Sequence, residues 1–210
     1  MKLYNFDPAP ASKRVRMFLL EKDLEISTVQ LNVRNGDQFQ EPYTTMNPFH
    51  CIPFLELDNG TVIAESVSIC RYLEELNPHP SLFGTDAEER AIIDVWNRRL
   101  ELDGYIPILH AFRNHNPNFA GKVLPGTRNE LPQLPVIVTR GKETISVLLD
   151  RLDPELSRSE FVAGKRISVA DITGYFTINM AKALDVEMED RYPNVHRWHT
   201  ELANRPSAQL

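Results

Sequence analysis

Asn47-Pro48-Phe49-His50-Cys51-Ile52-Pro53-Phe54-Leu55 leads through Asp58-Asn59-Gly60 to Ala64-Glu65-Ser66-Val67-Ser68-Ile69-Cys70-Arg71-Tyr72-Leu73. Apolar runs at 54–57 and 61–63 flank an Asn-Gly turn signal, which predicts a β-hairpin. Residues 66–76 then read as a helix, with Val67, Ile69, Cys70, Tyr72 and Leu73 at its apolar positions. Working upstream, residues 2–6 form a short β-prone run closed by the breakers Asp7-Pro8-Ala9-Pro10. Ser12 is expected to cap a helix carrying Val15, Phe18 and Leu19 on one face. Residues 26–31 read as a second strand, and 32–53 define no element clearly. Strand, helix, strand, hairpin and helix in that order predict a small mixed sheet with helices packed on it.

Downstream of Asn77-Pro78-His79-Pro80-Ser81 the pattern changes and no strand is convincing. Residues 86–112 form a long helical pattern that Pro107 should kink or break. Residues 114–135 are rich in Pro, Asn and Gly and read as a long loop, functional or mobile by its length. Helices are expected over 136–152, from Ser168-Val169-Ala170-Asp171 with Ser168 and Asp171 as an acidic capping box, and over 193–204. The expected organisation is a mixed α/β domain at 1–78, a linker at 79–86 and an all-helical domain at 87–210.

Composition mainly excludes. The 210 residues suit one large domain or two modest ones, and 42% hydrophobic with 25% charged residues is ordinary for a globular protein. No apolar run approaches the roughly 20 residues of a bilayer span, and the N-terminal residues lack the apolar core of a secretion signal. The formal charge of −6, from 23 basic and 29 acidic side chains, argues against nucleic acid or an anionic membrane as partner. Two cysteines, Cys51 and Cys70, are too few for a disulfide scaffold and favour a reducing cytoplasm. Without Cys-x-x-Cys or His-Glu-x-x-His no metal site is expected. His196 and His199 read as surface histidines of the last helix, and Cys70 as core.

The stretch quoted at the outset resembles the glutathione-binding segment of the glutathione transferases: Asn-Pro, an apolar residue before proline, a hairpin, then Glu-Ser opening a helix. Ser168-Val169-Ala170-Asp171-Ile172 resembles that family's capping box. Trp96-Asn97-Arg98-Arg99 and Arg205-Pro206-Ser207 resemble bacterial members related to the theta and nu classes. The resemblance covers essentially the whole chain. It implies a thioredoxin-like N-terminal domain that binds glutathione and a C-terminal helical bundle that forms the co-substrate pocket. It also implies that Pro53 is cis, with the backbone of Ile52 pairing with the cysteinyl unit of glutathione. Ser66 and the first amides of its helix suit the γ-glutamyl carboxylate, because a helix N-terminus carries partial positive charge. Glu65 is expected to hold the ligand's ammonium, and Asp103 to reach the same ammonium across a dimer. Gln38 aligns roughly with residues that bind the glycyl carboxylate. His50 and Cys51 replace the family's usual Gly and Lys or Gln there, which leaves the glycyl end without its customary donor.

The sulfur poses the chemical problem. A free thiol has a pKa of about 8.5, and lowering it by roughly two units takes about 2.7 kcal/mol. A helix N-terminus supplies about 0.3–1, up to about 2 kcal/mol, so a hydrogen-bond donor is also wanted. Relatives place Ser, Thr or Cys where this chain has Ala9, and nu-like members place Asn where it has Ala11. Ser12 is the remaining hydroxyl and the expected catalytic residue, with backbone amides of residues 11–13 as the other donors. Ala9, Ala11, Tyr105, Ile108, Leu109 and Phe112 are expected around the co-substrate. The resulting expectation is a cytoplasmic homodimeric transferase for small electrophiles, with glutathione as co-substrate and no other cofactor. Two alternatives are a nu-like glutathione-dependent disulfide reductase or peroxidase, and a non-catalytic glutathione carrier.

Overall fold

The alternating apolar residues of the first 64 positions form four short strands, β1 (Lys2–Asn5), β2 (Ser27–Gln30), β3 (Phe54–Glu56) and β4 (Val62–Ala64). The computed structural model describes residues 1–128 and 130–210. The sheet order is β2-β1-β3-β4. β1 runs parallel to β2, and β3 is antiparallel to both β1 and β4. Tyr4 pairs with Phe54 in the ladder and stacks on it, with ring centroids 4.5 Å apart. Leu31, Tyr43, Met46, Ile52 and Val62 pack around that pair. The pleat puts the buried pair Leu3 and Leu55 on the opposite face.

Helix α1 (Pro10–Glu21) starts earlier than expected. Its N-cap is Ala9, not Ser12, and Pro10 occupies the first helical position. Proline suits that position, where its missing N–H would be unpaired anyway, so the breaker cluster ends at Ala9. Residues 32–53 contain a 3₁₀ turn (Asp37–Phe39) and the one-turn helix α2 (Tyr43–Met46). Helix α3 spans Ser66–Leu76 and packs against α1. These elements make one unit, Met1–Pro80 with Pro125–Thr127 and Leu210.

The second unit, Ser81–Leu124 with Arg128–Gln209, is helical. Asp86 caps α4 (Ala87–Arg99) by accepting the Glu89 amide at 2.9 Å. The expected break at Pro107 is spread upstream: Leu100–Tyr105 is π-helical, and Pro107 lies in the first turn of α5 (Ile106–His115). Pro107 offers no N–H to the Asp103 carbonyl and its ring would crowd it, so the helix widens ahead of it. The long loop after α5 is tethered. The Arg113 guanidinium donates to the carbonyls of Lys122, Val123 and Leu124 and covers the Phe119 ring at 4.6 Å. Gln133 Nε2 donates to the carbonyls of Arg113 and Asn116.

α6 (Pro135–Leu156) packs along α5, and α7 (Val169–Lys182) is buried along nearly its whole length. The capping box at its start is present. Asp171 Oδ2 accepts from the Ser168 amide and hydroxyl, both at 2.8 Å, and Oδ1 from the Val162 amide and Trp198 Nε1, both at 2.9 Å. α8 (Pro193–Ala203) presents Val195, Trp198, His199 and Leu202 to the core. His199 is thus not on the surface as expected. It stacks on Tyr175 at 5.0 Å, its Nε2 lies 2.8 Å from Asn179 Oδ1, and burial, with the charge of Lys182, lowers its pKa to about 4. Among the described residues no helix is long and apolar enough to cross a membrane.

Candidate active site

In the first unit, the antiparallel register brings two of the expected binding segments side by side. Phe54 pairs with Ala64, so Pro53 directly precedes one member of the last ladder pair and Glu65 directly follows the other, and α3 starts at Ser66 directly after Glu65. The Ile52–Pro53 bond is cis. Ile52 is half-buried, precedes β3 and belongs to no ladder pair.

Glu65 is exposed and has φ 67°, ψ 124°, a region that a residue with a β-carbon rarely adopts. Such outliers persist where surrounding structure enforces them and concentrate at functional sites. Glu65 is the N-cap of α3 but makes no side-chain capping bond. The first-turn amides of α3 therefore have no partner within the helix and receive none from a cap. Ser66, 2% exposed, sits at that turn. α1 begins the same way: Ala9 offers no cap and Pro10 no amide, leaving the amides of Ala11 and Ser12 without an intrahelical partner. The Lys13 amide is used, donating to the Ala9 carbonyl at 3.0 Å, so the expected donor set narrows to Ala11 and Ser12.

The segment before the proline is braced from within. Asn47, 2% exposed, donates from Nδ2 to the Cys51 carbonyl at 2.8 Å, and its Oδ1 accepts the Phe49 amide at 3.2 Å. His50 takes φ 50° between them, and its ring lies 5.2 Å from that of Phe39. That contact places His50 beside the 3₁₀ turn carrying Gln38. Gln38 is 7% exposed, and its buried Oε1 has no partner among the described residues. A carboxylate needs a donor, so only Nε2 of Gln38 suits the glycyl end. Cys51 is half-buried and Cys70 buried; neither is in a disulfide. Burial pushes the Cys70 thiol up to about 12.

The remaining expected residues lie as follows. Ser12 has no exposed surface, and its hydroxyl oxygen accepts the Phe6 amide at 3.3 Å. It ties the end of β1 to α1 and is closed to a ligand sulfur as the chain stands. Asp103, in the second unit, pairs with Arg99 at 3.2 Å and Arg151 at 4.0 Å. Ile108 is fully buried and Tyr105 is 6% exposed, because α5 turns Ile108 and Ala111 into the core. Leu109 and Phe112 are half-buried, and Phe112 packs edge-on against Phe119 at 5.7 Å. Ala9 and Ala11 are half-buried at the start of α1. An open cleft of about 450 Å³ in the first unit is lined by Phe6, Asp7, Pro8, Gln30, Leu31, Asn32 and Asp37; none of the expected binding residues lines it.

Asn47 and Asp7 are structural hubs that the sequence reading did not single out as site supports. Asp7 Oδ1 accepts from Asn5 Nδ2 at 2.8 Å and Gln30 Nε2 at 2.9 Å. The available signal was an Asx residue before a proline at Asn47 and at Asp7, where such side chains bond to nearby backbone.

Comparison with known proteins agrees with this geometry. Residues 9–76 match the family model for the glutathione S-transferase N-terminal domain, and residues 137–206 that for the C-terminal domain. The chain is 31% identical to glutathione S-transferase D7 of Drosophila melanogaster, over 98% of this chain and 84% of that protein. Its structure superposes on a glutathione S-transferase of class Gtt2 from Vibrio parahaemolyticus with a TM-score of 0.84, at 37% identity over 100% of this chain and 96% of that one. A glutathione S-transferase domain-containing protein of Marinobacter aquaeolei gives a TM-score of 0.90 at 31% identity, over 99% of both chains. With the mixed sheet, the Ile52–Pro53 edge and the Glu65–Ser66 turn already in place, these likenesses assign the chain to the glutathione S-transferase family.

Proposed function

We propose that the first unit binds glutathione and that the chain catalyses attack of the glutathione thiolate on a small electrophilic carbon. The observation that carries this reading is the Glu65–Ser66 turn. A backbone strained at Glu65 delivers an uncapped helix start beside the Ile52–Pro53 edge. The first-turn amides of α3 and the Ser66 hydroxyl take the γ-glutamyl carboxylate, and Glu65 takes the ammonium. Ile52 pairs with the cysteinyl backbone, while Gln38 and His50 stand at the glycyl end.

With Ser12 closed, the thiolate falls to the amides of Ala11 and Ser12. One hydrogen bond to a charged group contributes about 1.5–3 kcal/mol. Added to the helix dipole, that reaches the roughly 2.7 kcal/mol needed for two units of pKa. In the cell we place the protein in the cytoplasm as a homodimer that detoxifies electrophiles.

A titration of bound glutathione followed by thiolate ultraviolet absorbance tests the reading. The expected result is a pKa well below the free value of about 8.5. A bound thiol that keeps the free value favours the carrier reading, which the absence of a side-chain donor at Ala9 and Ala11 supports. Ser66→Ala is expected to weaken glutathione binding on the order of tenfold by calorimetry; unchanged affinity would sink the assigned carboxylate site.

A further inference from the structure

Three residues of the long loop, Pro125–Thr127, belong to the first unit although the rest of that unit lies almost entirely within the first 80 positions. Among them, Gly126 comes close to the Phe49–Cys51 segment of that unit. Its φ is +68°, a conformation that side chains disfavour. A β-carbon at Gly126 would also lie 2.1 Å from the Phe49 carbonyl oxygen and 2.9 Å from Cys51 Sγ. The first of these neighbours is backbone and cannot swing away. Glycine is thus demanded twice, once by the turn and once by the approach.

The segment Gly126 meets is the one that leads into Ile52–Pro53. Asn47 braces it from within, and His50 bends it through a left-handed turn. Phe49 is 63% exposed and Cys51 half-buried, and Gly126 approaches the backbone of the first and the thiol of the second. We infer that Gly126 is a positioning residue for glutathione binding: it holds the Phe49–Cys51 segment in the geometry that presents Ile52 and the glycyl-end residues. The inference rests on the glutathione site proposed above. It assigns Gly126 no contact with the ligand and gives it a role through the segment it touches. The Cys51 thiol, covered by the same contact, is a built-in reporter of whether the tip is seated.

Gly121 supplies the control. It has nearly the same φ, +69°, but among the described residues a β-carbon there would meet only Glu130 Cα, at an ordinary 3.8 Å. Gly126→Ala and Gly121→Ala therefore carry the same conformational cost, and only the first carries the collision. Gly126→Asn tolerates the left-handed turn better while keeping a β-carbon, so it separates a collision from a folding defect.

The experiment measures the rate of thiol labelling by an aromatic disulfide and steady-state kinetics with a halogenated aromatic electrophile. Cys70, 2% exposed and with its pKa raised to about 12, contributes little to the labelling. Both Gly126 variants are expected to label Cys51 faster than the unsubstituted protein. They should also raise KM for glutathione on the order of tenfold, as a small misplacement of a binding edge does, with kcat changing by less than about twofold. Gly121→Ala should match the unsubstituted protein in both. Labelling and KM unchanged in the Gly126 variants overturn the inference, as does a Gly121→Ala variant that behaves like them. If the unsubstituted protein binds no glutathione, the proposed function fails, and the labelling rates still decide whether Gly126 seats the segment.

Discussion

The Ser12 hydroxyl, closed to solvent and accepting the Phe6 amide, does its work in folding. Replacing it with alanine leaves that amide without its acceptor in a part-buried place. An unmade hydrogen bond of this kind costs about 1–3 kcal/mol. Ser12→Ala is therefore expected to lower the urea midpoint of the first unit while leaving kcat for conjugation within about twofold, since the sulfur is assigned to backbone amides that the substitution retains. A collapse of kcat with little change in stability would restore Ser12 as the activating group. The same distinction explains why the sequence suggested a different role. Ser12 was the nearest hydroxyl to a site that lacked one, and Pro10, weighed as a breaker, starts the helix three residues earlier than a Ser12 cap would. His199 was more legible than the reading made it. Val195, Trp198 and Leu202 define one face by their spacing, and His199 falls on it.

α1 and α3 both begin uncapped at the candidate site, and their far ends are joined by a buried ion pair. Lys22, at the C-cap of α1, has a side chain with no exposure. Its Nζ donates to Glu74 Oε2 at 2.7 Å and to the Pro80 carbonyl at 2.5 Å. The pair fixes how the two helices lie together, and so where their N-termini deliver their amides. Removing one partner strands a buried charge, which costs about 3–5 kcal/mol, whereas a well-packed apolar replacement of both is often neutral. Glu74→Ala is expected to destabilise the first unit on that scale, and Lys22→Met with Glu74→Leu to recover most of it, both read from denaturant midpoints of Cys70 exposure. A single variant as stable as the unsubstituted protein would show that the pair carries no such load. Elements of this kind divide by how local their cause is. The helix at 66–76 and the capping box at Ser168 were legible because turn, cap and apolar face lie within a few residues of one another. The π-helical turn at Leu100–Tyr105 was not, because Pro107 announces a break but not the widening by which the helix accommodates it. The Lys22–Glu74 pair, far apart in sequence, leaves no trace in either segment.

Across the whole molecule, the reporters are segregated. Both tryptophans, Trp96 and Trp198, lie in the helical unit, and both cysteines, Cys51 and Cys70, in the first. Tryptophan fluorescence and thiol labelling therefore follow the unfolding of different units in one sample. The buried imidazole of His199 gives the two signals a reason to differ with pH. Its pKa falls to about 4 in the folded chain, against about 6.5 when unfolded. A histidine held neutral stabilises fully above the unfolded value, and that stability is lost as pH falls from about 6.5 toward 4, because the unfolded chain takes up the proton first. Between about pH 7.5 and pH 5 the loss is on the order of 2 kcal/mol. The fluorescence midpoint in urea is expected to drop by the corresponding amount. His199→Gln, which cannot take up the proton, should flatten the dependence even if it lowers stability at every pH. Thiol exposure, read by pulses delivered at one common pH, supplies the comparison from the first unit. A fluorescence midpoint that falls equally in the His199→Gln variant would remove His199 as the cause and pass the acid sensitivity to other groups.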